Sequence, residues 1–246
     1  MKVPASPDRS AKGLTAETPD ALRYENISDE PREVTSLMRA IMPGGVRVLD
    51  IGCGTGSVTA LANRGKGNTV VGIEPDPERC AMARARGIDA HNQLLDRDFF
   101  TRHGLFDVIS FADVLEHLPA PADVMDLALE GLRPGGLVIV SVPNVAHWSV
   151  RLKLLFGRFD YEDVGICDST HLRWFTASTI RSFLEGCGLE ILSQDATAGA
   201  TLPIYYRSPL RFVPGRVKRP VVRALSRMLP RLFGCQHILS ARKPLR

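Results

Sequence analysis

In the stretch VLDIGCGTGS, residues 48–57, three glycines at alternate positions, Gly52, Gly54 and Gly56, follow an apolar run that ends in the acid Asp50. A strand that runs into such a turn and then opens a helix presents bare backbone N–H groups with no Cβ in the way. A nucleotide-like ligand can then lie against the main chain. A second set of residues has the chemistry of proton transfer: the imidazoles His117, His147 and His171 and the acid Asp168. Histidine is neutral enough near pH 7 to accept a proton. For each of the four, the plain alternative is a polar side chain satisfied by hydrogen bonds inside the fold.

The elements that must carry these residues alternate in type. Apolar strand patterns VRVLDI, TVVGIE, FDVISFA and GLVIVSV are separated by helical patterns, and LEILSQDA and QHILSAR add two later strands. Strand–helix–strand repetition implies right-handed crossovers and a parallel sheet covered on both faces. The fold class expected is α/β, a doubly wound, seven-stranded, mostly parallel sheet. A first helix is expected over DEPREVTSLMRAIM, with Asp29 as its N-cap. Residues 1–22, rich in Pro, Ser, Thr and charge, are expected as a flexible tail, and 23–246 as one domain. Segments 143–175 and 202–233 break the alternation, and insertions at strand ends are where such folds build substrate sites.

Composition narrows the class. A 246-residue chain that is 44% hydrophobic can bury a core, and its five cysteines form no Cys-x-x-Cys pair. Scattered cysteines and the lack of a long apolar run predict a cytoplasmic protein. The net charge of +4 hides a polarity: Ala196 to Arg246 holds eleven Lys and Arg and no acid, while the remainder is −7. Within it, RPVVRALSRMLPRLF sets Val221, Val222, Leu225, Met228, Leu229, Leu232 and Phe233 on one helical face and Arg219, Arg223, Arg227 and Arg231 opposite, with Pro230 as a kink or stop. Such a helix, 219–233, fits a lid docked by its apolar face, or peripheral association with an anionic membrane.

The glycine stretch resembles motif I of the class I S-adenosylmethionine-dependent methyltransferases, acid-x-Gly-x-Gly-x-Gly, met here by Asp50, Gly52, Gly54 and Gly56. The resemblance implies S-adenosylmethionine as cofactor. It further implies that Asp50 holds the cationic amino end, directly or through water, and that Glu74, closing VVGIE, accepts both ribose hydroxyls. Where the family usually has an acid for the adenine amino group, this chain has Gln93 and Leu94, with Asn92 beside them. FDVISFADVLEHL and LRPGGLVIVSVPN extend the match over about 24–142.

Two narrower resemblances bear on the reaction. PNVAHWSVRLKLLFGRFDYEDVGICDSTHLRWFT is similar to the segment after the fifth strand in bacterial methyltransferases of glycan, sugar and small-metabolite pathways, implying O-methylation of a sugar, glycan or related hydroxyl. Asp113, Glu116 and His117 are similar to the metal-binding pattern of ubiquinone-pathway O-methyltransferases, implying Mg²⁺ on substrate oxygens. Without a metal, His117, His147, His171 or Asp168 takes the proton. The alternatives are N- or C-methylation of a small metabolite, or a recruitment module whose methyltransferase-like core docks on membrane or nucleic acid. An intact glycine loop and Glu74 argue against an empty core. The absence of a base-methylation signature argues against nucleic acid.

Overall fold

The computed structural model describes residues 27–207 and 210–245, so the expected tail at 1–22 lies outside the described residues. Seven strands form one sheet in the order β3-β2-β1-β4-β5-β7-β6. They are β1 (Arg47–Ile51), β2 (Thr69–Ile73), β3 (Asp89–His91), β4 (Phe106–Ala112), β5 (Leu132–Pro143), β6 (Glu190–Ala196) and β7 (Gln236–Arg242). All neighbouring pairs are parallel except those made by β7, which runs antiparallel between β5 and β6. The helices are α1 (Val34–Ile41), α2 (Ser57–Asn63), α3 (Pro77–Ala85), α4 (Arg97–His103), α5 (Pro121–Glu130), α6 (Trp148–Leu155), α7 (Ala177–Gly186), α8 (Gly215–Met228) and α9 (Pro230–Phe233).

The strands bury both faces, and their period of two sorts side chains between two cores. Ile109 and Phe111 of β4, Val138, Val140 and Val142 of β5, and Leu239 and Ala241 of β7 join Phe99, Met125, Ile180 and Leu184 on one side. Their sequence neighbours Val108, Ile139 and Ile238 face the other way, onto Met38 and Met42 of the first helical segment. Local chemistry starts the helices: the Asp76 carboxylate accepts from the backbone of Glu78 and Arg79 at α3, and Asp96 accepts from Phe99 at α4. Asp29 does not cap α1 as expected. Its carboxylate lies 2.8 Å from Arg39, and Glu33 takes the N-cap position.

The chain winds outward from β1 in one direction through β2 and β3, then returns to β4 on the other side. That reversal opens a crevice at the carboxyl ends of β1 and β4, the place where such sheets bind ligands. Both irregular segments emerge at this edge, because β6 ends there and β7 begins there.

The second segment departs from its expected orientation. The helix starts earlier, at Gly215, and breaks before Pro230 as expected. Its inward residues, however, are Lys218, Val222 and Ser226, while Val221, Met228 and Leu229 are exposed. Two long-range contacts decide this. Lys218 Nζ donates to the Tyr205 carbonyl at 2.6 Å, and Arg219 and Arg223 both reach Glu30 from the segment before α1. Of the expected apolar face, Val222 is docked, packed with Ala198, Ala200 and Tyr205, while Val221, Met228 and Leu229 stay outside.

Candidate functional site

The glycine turn explains its own composition. Gly52, Gly54 and Gly56 all have left-handed φ, +69°, +56° and +79°. A Cβ on Gly56 would stand 3.1 Å from the Ala83 Cα and 2.5 Å from Ile88, and one on Gly52 would stand 2.8 Å from Val114. Gly54 has nothing within 4 Å of that position. The outer two glycines let the turn pack against α3 and the β4 exit, and the middle one faces open space suited to a ligand.

Glu74, just beyond β2, ties this turn to the next. Its two carboxylate oxygens accept from the Gly54 and Asp76 backbone N–H groups, each at 2.9 Å. A carboxylate oxygen has a second acceptor direction, so a vicinal diol fits Glu74 without breaking either bond. Asp50, expected to hold the cationic amino end directly or through water, is engaged inside the fold. It is only 2% exposed, and its oxygens accept from the hydroxyls of Ser110, at 2.6 Å, and Thr59. Burial pushes its pKa up to about 6, against the two hydroxyls that pull it down and with the Glu74 charge adding to the rise. Asp50 offers a buried negative field under the turn, favourable to a cation above it. Gln93 and Leu94 follow β3: Gln93 Nε2 donates to the Leu94 carbonyl at 3.3 Å, and the Leu94 side chain is exposed. Asn92 is tied down instead, donating to the carbonyls of Glu74 and Pro75. The donors and acceptors present thus fit an adenosyl amino acid at this edge.

Beyond β4 the backbone turns sharply. Asp113 has φ +55°, one of two non-glycine residues with positive φ among the described residues, and its carboxylate accepts from Ser141 Oγ at 2.7 Å and Gln236 Nε2 at 2.7 Å. These bonds commit Asp113 to holding the turn, so it is not the metal ligand expected of it. A single 3₁₀ turn, Leu115–His117, follows. The Glu116 carbonyl accepts from Leu172 at 2.7 Å and Arg173 at 3.0 Å, which stitches the end of the first irregular segment to this turn. His171 is thereby brought against His117, ring centroids 4.8 Å apart.

Glu116, His117 and His171 each place a ligand atom within 4.8 Å of the others. The Glu116 carboxyl is 1% exposed, and neither oxygen has a hydrogen-bond partner. Burial, and then the Asp113 charge, push it well above the usual carboxylate range. One carboxylate and two imidazoles make a poor site for Mg²⁺, a hard cation that takes oxygen ligands. The expected magnesium does not fit the residues present.

The hydrogen bonds also fix a tautomer. His117 Nδ1 lies 3.3 Å from the Thr170 carbonyl and 3.2 Å from Thr170 Oγ1. The Thr170 hydroxyl gives its own proton to Asp168 at 2.7 Å. Both neighbours of Nδ1 are then acceptors, so Nδ1 carries the hydrogen and Nε2 carries the lone pair. His171 Nδ1 meets the Ile166 carbonyl at 3.2 Å, with the same result. Asp168 is fully buried behind Thr170, so it orients the site and does not face an acceptor.

His147 belongs elsewhere. It is fully buried, caps α6, receives the Ser149 N–H at 3.4 Å and lies 3.3 Å from the Tyr205 hydroxyl. Burial alone lowers its pKa to about 4. It is a structural histidine and not the expected proton acceptor. Unfolded, it takes a proton near 6.5, whereas the folded state resists it until about 4. The stability due to neutral His147 is therefore complete above pH 6.5 and is lost as pH falls toward 4, by about 3 kcal/mol. Urea unfolding of the wild type and His147→Gln across that window should show the total acid-side loss of stability smaller by this amount in the variant.

The charged residues of the first irregular segment are also occupied locally. Lys153 pairs with Glu162 at 2.6 Å, Arg158 with Asp160 at 2.8 Å, and Arg173 donates to the Pro119 carbonyl. Thr59, Ser110, Thr170 and Gln236 complete the site without having been expected from the sequence. Only the run DSTH, which sets Asp168, Thr170 and His171 together, carries a local signal of it.

A methyltransferase-domain family model matches residues 21–194 of this chain. Curated relatives include the ubiquinone biosynthesis O-methyltransferases of Xylella fastidiosa, 33% identical over 121 residues, and of Thiobacillus denitrificans, 37% identical over 106 residues. The first match covers 46% of this chain and 48% of the relative, the second 41% and 45%. The chain thus spans about half the length of the curated relatives it matches. An S-adenosylmethionine-dependent methyltransferase from Mesorhizobium loti shares the fold at a TM-score of 0.53 and 19% identity, over 84% of this chain and 96% of that one. The [4+2]-cyclase SpnF does so at 0.53 and 21%, over 86% and 81%. With that family model covering residues 21–194 and the seven strands in the order β3-β2-β1-β4-β5-β7-β6, this chain belongs to the class I S-adenosylmethionine-dependent methyltransferases.

Proposed function

We propose that the protein methylates a hydroxyl oxygen of a small organic acceptor, and the observation that carries this reading is His117 on the turn after β4, its Nδ1 set against Thr170, whose hydroxyl donates to the buried Asp168. Bound S-adenosylmethionine supplies an electrophilic methyl on a cationic sulfur: the acceptor oxygen gains the methyl, the carbon–sulfur bond breaks to a neutral thioether, and the hydroxyl proton must leave. His117 Nε2 takes that proton, and the buried Asp168, through Thr170, stabilises the imidazolium. Glu74 and the Gly54 face hold the cofactor, with the Asp50 field beneath. The relatives named for ubiquinone biosynthesis support oxygen as the accepting atom. None of the relatives named above is described as acting on a sugar or glycan, so that part of the expectation is dropped. A nitrogen or carbon acceptor has less need of a base oriented this way.

A second reading comes from one observation, the unpartnered Glu116 carboxyl with ligand atoms of His117 and His171 within 4.8 Å of it. Two histidines and one carboxylate suit a borderline divalent ion such as Mn²⁺ or Zn²⁺. The test is turnover on a panel of phenolic and aliphatic alcohols after dialysis against EDTA, with Mn²⁺ or Zn²⁺ added back. Turnover that survives EDTA is the expected result. Activity recovered only with added metal would replace the His117 reading by the second, and methylation of amines alone would overturn the oxygen acceptor.

A further inference from the structure

The rotation of α8, which buries Lys218, Val222 and Ser226, leaves an outward face that neither the cofactor site nor the acceptor site uses. Val217, Val221 and Met228 are 50%, 50% and 76% exposed. At 100° per residue they fall within one narrow stripe, with Ala224 between them. Phe212, in the short turn before the helix, is 72% exposed, and Leu229 after it is 50% exposed. Arg216 and Arg227 follow one flank of this stripe and are exposed. Along the same flank a cavity of about 440 Å³ opens between Tyr206 and α8, lined by Arg216, Arg219 and Arg223.

Charge decides what covers this face. From Ala196 to Arg246 the chain holds eleven basic residues and no acid, and among the described residues Glu30 pairs with Arg219 and Arg223 of α8. An exposed apolar stripe edged by arginines fits the boundary of an anionic bilayer, where guanidinium groups meet phosphates and aliphatic side chains meet acyl chains. A nucleic acid would use the arginines and leave Phe212, Val221 and Met228 in water. The segment also leaves the sheet at the carboxyl edge, where the glycine turn and His117 lie.

We propose that the outward face of α8, together with the Phe212 turn, docks the protein on a bilayer surface rich in anionic phospholipid, the arginine-lined cavity taking a headgroup phosphate. The site then opens at the lipid–water boundary, within reach of an acceptor dissolved in the membrane. This docking does not depend on which atom is methylated.

The experiment is flotation of the full chain with phosphatidylcholine vesicles, with and without phosphatidylglycerol, over a range of salt. The wild type should float only with phosphatidylglycerol and release as salt rises. Arg216→Ala with Arg227→Ala should weaken partition roughly five-fold per arginine. Val221→Ser with Met228→Ser should leave binding that salt removes more easily. Unchanged thermal unfolding and cofactor binding would show both variants folded. Absence of flotation at low salt, equal flotation with neutral vesicles, or indifference to both pairs of substitutions would overturn the proposal. So would binding to a duplex oligonucleotide that needs the arginines but not Val221 and Met228, in the absence of vesicle binding.

Discussion

Replacing His117 by alanine is expected to lower the methyl-transfer rate by about 10²- to 10⁴-fold, the usual worth of a positioned general base, while S-adenosylmethionine binds as in the wild type. The separation follows from geometry. His117 sits on the 3₁₀ turn after β4 and contacts Thr170, whereas the cofactor cradle is built from the turn after β1 and from Glu74 after β2. Thr170→Val gives the finer result. It removes the acceptor at 3.2 Å from Nδ1 and the link to Asp168, yet the Thr170 carbonyl still faces the ring. Its loss should therefore be smaller, about ten-fold, and confined to kcat with KM little changed. Single-turnover kinetics with saturating cofactor would measure both. A His117→Ala enzyme that kept wild-type turnover would remove the imidazole from the mechanism.

The second large effect is on cofactor affinity. Glu74→Ala should weaken S-adenosylmethionine binding about 100-fold in a calorimetric titration, equivalent to about 2.8 kcal/mol. Hydrogen bonds to a charged group contribute about 1.5–3 kcal/mol each, and Glu74 has a free acceptor direction on each oxygen for a ribose hydroxyl. The alanine variant also frees the Gly54 and Asp76 N–H groups, so the turn loses its anchor as well as its ligand contacts. Glu74→Gln should lie between the two, because an amide accepts on one side only. Wild-type affinity in Glu74→Ala would mean the ribose is held elsewhere.

What the sequence makes legible is whatever depends on near neighbours. The strand VRVLDI, the alternate glycines and the acid at the end of VVGIE lie within residues 46–74 and appear in the structure where their pattern puts them. The exchange of Asp113 for His171 beside Glu116 and His117 was hidden, because it depends on Gln236, 123 residues away from Asp113, and on the Glu116 carbonyl receiving the 172–173 backbone. The orientation of α8 was hidden for the same reason. Its hydrophobic spacing favours burying Val221 along with Val222, but Glu30, 189 residues earlier than Arg219, draws Arg219 and Arg223 toward the body and rotates the helix, so that Val222 stays buried and Val221 faces out. His147 looked reactive by type alone, and only its buried contacts with Ser149 and Tyr205 mark it as structural.

The position of β7 governs when the fold can be finished. Among the described residues β6 has its ladder only with β7, and β7 lies between it and β5, so β6 has no place in the sheet until residues 236–242 arrive. During synthesis the first five strands can close as a parallel half with β5 as a bare edge. β6, α8 and α9 wait in the emerging chain until the last strand slides in antiparallel and joins them. The closing contacts span long separations, so this step carries a large loop-closure cost. The acceptor edge, which needs Gln236 against Asp113 and Gly234 against Asn144, is the last part of the molecule to take shape. A nascent chain would acquire its cofactor cradle well before it acquired anything to methylate with it.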